Sequence, residues 1–70
     1  MMPLTLAEPK TEYVILRVRG NEEVRTHLEN MGFVTGSIVS VVSKVREDLI
    51  VNVKNSRVAI SKEAALKIMV

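Results

Sequence analysis

Apolar and polar positions alternate with a period near two along most of this chain, and a stretch with helical spacing interrupts them once. Tyr13 to Arg19, reading Tyr-Val-Ile-Leu-Arg-Val-Arg, is rich in β-branched residues and stops at Gly20-Asn21, which predicts a strand. Its inward face is ambiguous. Val14, Leu16 and Val18 could face the core with Arg17 and Arg19 outward, yet Tyr13 and Ile15 are apolar too, as in a strand buried on both faces or carrying a bulge.

Asn21 is suited to cap a helix, and Glu22 and Glu23 place carboxylates at the positive end of its dipole. Val24, Leu28 and Met31 follow at intervals of four and three, so they line one stripe of a short helix. Gly32 falls where a helix turns left-handed to stop, and Phe33 and Val34 stand where an apolar side chain folds back on the last turn. Thr35-Gly36 then predicts a tight turn that launches a strand over residues 37–43. There Val39 and Val41 alternate with Ser40 and Ser43, while Ile38 and Val42 blur the faces.

Arg46, Glu47 and Asp48 make a polar connection of hairpin size, after which Leu49, Val51 and Val53 alternate with Asn52 and Lys54 in a further strand. Residues 54–57 form a second turn, with Asn55 best suited to positive φ, and Arg57 to Ile60 gives a fourth strand with Val58 and Ile60 inward. Ser61 caps a last helical turn over residues 62–67, and Ile-Met-Val can add a terminal strand. Four or five short strands with one inserted helix predict a small, partly open barrel, mainly β. Pro3 and Pro9 argue against regular structure in the first ten or so residues.

Seventy residues are read as one domain, 1–70, which at this size buries only about 60% of the surface its unfolded form exposes. With 47% apolar and 26% charged residues, the composition is that of a folded chain. The absence of cysteine excludes disulfides and thiolate chemistry and fits a reducing compartment. No window approaches the ~20 apolar residues of a membrane span, so a cytoplasmic chain without direct membrane insertion is expected. The net charge of +2, from ten basic and eight acidic residues, is scattered and names no partner.

The segment Leu28-x-x-Met31-Gly32-Phe33-x-x-Gly36, followed by Val39, Val41, Val51, Val53, Arg57, Ala59, Ile60, Ala65 and Ile68, resembles the ferrous-iron transport protein A (FeoA) family over roughly residues 4–70. The resemblance implies an SH3-like barrel of about five strands with one inserted short α-helix and a C-terminal helical turn. Family members often carry a glycine before the first strand, where Lys10-Thr11 stands here. A similar domain ends iron-dependent repressors, but 70 residues leave no room for a DNA-binding helix pair, so the stand-alone form is expected.

Candidate chemistry is sparse. Catalysis needs two or three converging polar groups, and one histidine with no cysteine and no glycine-rich loop supplies little, so no enzyme is expected. Glu23 and His27 share a helix face and suit Fe(II) or another divalent transition metal, weakly and without a tightly bound cofactor, although two ligands are half a site. The plainer account of them is a surface contact. Two aromatics and arginines interspersed with acids argue against nucleic acid, and the lack of tryptophan against proline-rich peptides.

Protein–protein binding remains, with Phe33 and Arg57 as candidate partner-binding residues, each with a plainer reading as a helix-stop contact and a turn charge. By resemblance, the expected role is an accessory of ferrous-iron uptake that docks, as a monomer or weak self-associate, on the cytoplasmic GTP-binding part of a FeoB-type transporter. The alternative is an Fe(II)-responsive module acting on another regulator.

Overall fold

A computed structural model describes residues 1–70. The elements run as a 3₁₀ turn (Leu4–Leu6), β1 (Glu12–Val14), β2 (Arg17–Val18), α1 (Glu22–Asn30), β3 (Ile38–Val45), β4 (Asp48–Val53), β5 (Ser56–Ile60), α2 (Lys62–Ala65) and β6 (Ile68–Met69). Four strands form one antiparallel sheet in the order β1-β3-β4-β5, and β2 pairs with β6 in a second. The architecture is the expected mainly β one with one inserted helix, and its six strands lie in two sheets rather than a closed ring. No helix is long and apolar enough to cross a membrane.

The strand expected over residues 13–19 divides in two. At Ile15 the chain leaves one sheet for the other: the Ile15 amide donates to the Ser37 carbonyl (2.9 Å) and the Leu16 amide to the Met69 carbonyl (2.8 Å). Ile15 is therefore sealed between the sheets, while Val14 and Leu16, possible inward residues by the alternation, are exposed. A change of sheet interrupts the period of two, which is why alternation left the inward face open there. In β3 the blur at Val42 also has a cause, a register shift between Val41 and Ser43 that adds one residue to the strand. Val39 and Val41 are fully buried as expected. The connection after β3 is shorter than its polar residues suggested, since Val45 pairs with Asp48 and leaves Arg46 and Glu47 as the turn.

Both helices begin on the expected caps: Asn21 Oδ1 accepts from the Val24 amide (2.8 Å) and Ser61 Oγ from the Ala64 amide (3.2 Å). The end of α1 is a Schellman motif. The Gly32 amide donates to the Glu29 carbonyl (2.9 Å), the Phe33 amide to the Leu28 carbonyl (3.0 Å), and the motif's apolar partners, Leu28 and Phe33, are both buried. Gly32 has φ 105°, and a Cβ there would lie 3.1 Å from Lys54 Cγ. Gly32→Ala is expected to lower stability by about 1–2 kcal/mol, since strain at positive φ adds to a tight contact. Urea melts of the two proteins check this, and an unchanged midpoint would contradict it. Gly36, with φ 93°, is the third residue of a turn closed by the Ser37 amide on the Val34 carbonyl (3.0 Å), a type II pattern that aims β3.

The core joins both ends of the chain. Leu4, Ile15, Leu28, Phe33, Val39, Val41, Val51 and Ile68 are among its most buried members, with Val24, Met31 and Val58 packed against it. The leader, expected to lack regular structure, is part of this core. Leu4 and Ala7 are buried, and Met2 and Val70 exchange two backbone hydrogen bonds of 2.8 Å. Its prolines do not prevent this, because Pro3 precedes a 3₁₀ turn and needs no ladder donor of its own.

Candidate functional site

The outer face of the four-stranded sheet carries the most organised set of polar side chains. Successive registers put Glu12 opposite Ser40, Ser40 opposite Asn52, and Asn52 opposite Arg57, so one row crosses all four strands. Arg57 Nε donates to Asn52 Oδ1 (3.2 Å), which fixes the guanidinium along the sheet and leaves its terminal nitrogens unused by that bond. A groove above this row is bounded by Gly36, Ser37 and Ile38 on one side and by Lys54, Asn55 and Ser56 on the other.

The wall at residues 54–56 takes its shape for a local reason. Lys54 and Asn55 both take positive φ (51° and 63°), so the two-residue turn is of the type I′ kind that matches strand twist. Asn55 is the residue expected there, and Lys54 joins it. At the groove's end Val14 and Ile38 face each other across β1 and β3, and both are about half exposed. These residues offer hydrogen bonds, charge and a small apolar step, which suit binding.

Phe33 does not stand at this surface. It has no exposed area and is the largest fully buried side chain of the protein, so it cannot anchor a partner, and its candidacy is corrected to a core role. The reason is its place in the Schellman motif, which turns it back over Leu28. Arg57 is exposed, in the row just described. Glu23 and His27 are exposed on α1, and no third histidine, cysteine or acid joins them. The single ion pair is elsewhere, Lys62 to Glu47 at 3.9 Å. A shallow groove between β2 and α1 is lined by Glu22, Arg25, Thr26 and Glu29 rather than by those two. The polar row escaped sequence reading because its members are far apart in the chain, and only the strand register unites them.

Comparison with known proteins adds to this geometry. A family model described as the FeoA domain matches residues 2–70. Among solved structures, an iron uptake regulatory protein (FeoA) superposes with a TM-score of 0.89 at 26% identity, covering 97% of this chain and 92% of that one. FeoA of Stenotrophomonas maltophilia complexed with zinc, a prokaryotic SH3 domain protein, gives 0.83 at 28% identity, covering 99% and 88%. ScaR with bound Cd2+ gives 0.85 at 21% identity; there this chain covers 33% of the length, a likeness of fold alone. No curated protein matches the chain.

Proposed function

The chain belongs to the FeoA family, and from that premise we propose that it acts as a cytoplasmic accessory of ferrous-iron uptake, docking as one domain on the GTP-binding part of a FeoB-type transporter. The family itself is associated with ferrous-iron transport. The observation that carries the reading is the match over residues 2–70 together with relatives whose own chains are covered to about nine-tenths. The polar row around Arg57 supports it, since an exposed guanidinium oriented on a sheet face is suited to recognition.

Docking shifts the partner's state only by differential binding, so a preference for one nucleotide state must appear as an equal change in the partner's nucleotide affinity. Measuring GDP and GTP-analogue affinity of the transporter's cytoplasmic part with and without this chain tests the modulation. A change of about five-fold or more for one nucleotide is expected. Identical affinities for both would remove modulation from the reading.

Metal responsiveness is the second reading, supported by the zinc complex of the S. maltophilia relative and by Glu23 and His27 sharing a helix face. With two ligands only, Fe(II) affinity under anaerobic titration is expected to be weak and to be lost in His27→Ala. Tight binding unaffected by that substitution would place the metal elsewhere.

A further inference from the structure

Strand β5 ends its sheet and leaves one backbone edge open. The two-residue turn at Lys54-Asn55 makes Val53 and Ser56 a hydrogen-bonded pair, so Val51 with Val58 and Leu49 with Ile60 are bonded in alternation. The backbones of Arg57 and Ala59 consequently face away from β4. Neither residue makes any backbone hydrogen bond outside the strand ladders. Ser56, Arg57 and Ala59 are exposed, and β5 has no proline and no bulge, two devices that commonly blunt an edge.

Charge along this edge has a direction. Residues 54–62, Lys-Asn-Ser-Arg-Val-Ala-Ile-Ser-Lys, hold three cations and no acid. Lys62, at the far end, is already engaged by Glu47. Lys54 and Arg57 form no ion pair, and Arg57 is held in place by Asn52. An open row of alternating donors and acceptors matches a peptide backbone rather than a nucleic acid, and the two unpaired cations beside it match carboxylates.

The geometry points to β5 as a strand-addition site for an extended acidic segment of a protein partner, with the segment's carboxylates at the Lys54–Arg57 end. The assignment rests on the docking reading above and gives that docking a surface. Backbone hydrogen bonds from Arg57 and Ala59 supply the pairing, and the two cations choose an acidic sequence over others.

Amide hydrogen exchange of the labelled full chain, alone and with the transporter's cytoplasmic part, tests it. The Arg57 and Ala59 amides are expected to exchange rapidly in the free protein and to become protected in the complex. Ala59→Pro removes an outward donor and no bond to β4, a change that edge strands tolerate, and Arg57→Glu reverses the selecting charge. Each is expected to weaken binding about tenfold or more, with a native amide spectrum retained. If Ala59→Pro fails to fold, Arg57→Glu and the exchange data decide alone. Shifts confined to other surfaces, with the Arg57 and Ala59 amides still exchanging rapidly, would overturn the strand-addition site while leaving docking intact. Protection that grows with the protein's own concentration, without the partner, would make a second copy the occupant and overturn the acidic segment. No shift anywhere would remove docking, and this site with it.

Discussion

Phe33→Ala is expected to cost about 3–5 kcal/mol, the usual loss for truncating a fully buried phenylalanine. A chain of 70 residues has about 3.5–10 kcal/mol in all, at roughly 0.05–0.15 kcal/mol per residue, so the variant should lose roughly a third or more of its stability and unfold outright if the wild type lies at the low end. Two effects combine at this position. Truncation leaves a void beside Leu28, and it deletes the apolar contact that accompanies the helix stop. Phe33→Leu keeps most of the volume and should fold with a loss nearer 1 kcal/mol. Urea denaturation distinguishes a core role from a docking role: an exposed anchor would give Phe33→Ala a wild-type midpoint and impaired partner binding alone.

Leu4→Ala should be almost as damaging, at about 2–5 kcal/mol, because Leu4 is fully buried in the shared core. For a domain this small, each kcal/mol moves the melting temperature by about 4–8 °C, so a drop of roughly 10 °C or more is expected. The leader also holds the C-terminal strand through the Pro3 bridge to Met69 and the Met2–Val70 pair. Loosening it should therefore speed amide exchange at Val70. A melting temperature within a degree or two of wild type would mean that the leader is not integral to the fold.

Much of the architecture was legible where local chemistry decides it. Asn21 and Ser61 cap their helices, Gly32 and Gly36 take the positive φ that their turns require, and Asn55 does so in the β4–β5 hairpin. Alternation correctly placed Val39, Val41, Val51 and Val53 in the core, because β4 and the part of β3 before its register shift keep one face inward. It left the inward face of residues 13–19 open, because the chain changes sheets there, and the prolines misled at the leader, whose burial depends on a partner strand more than sixty residues away. Lys10 is instructive: it adopts φ 65°, a left-handed conformation that its side chain does not favour, and nothing in its residue type announces that bend.

The candidate site was less legible, for a related reason. Arg57 could be singled out from its place at a strand start, but its neighbours Glu12, Ser40 and Asn52 come from three other strands. Their juxtaposition follows from register, which bulges and turn types set and which no single segment states. Phe33 had two readings from its position after a helix stop, and the packing of Leu28 against it decided for the interior. Glu23 and His27 remain an exposed pair on α1, one turn apart, and their part in metal binding is a matter for titration.

Under the proposed function, this chain works by presenting a β surface to the cytoplasmic part of an iron transporter. The decisive measurement is a titration of the isotopically labelled protein with that part, in its GDP and GTP-analogue states. Shifts are expected in one contiguous set of sheet amides that includes Arg57 and its neighbours, with different affinities in the two states. Unchanged amide positions at high excess of both forms would contradict it.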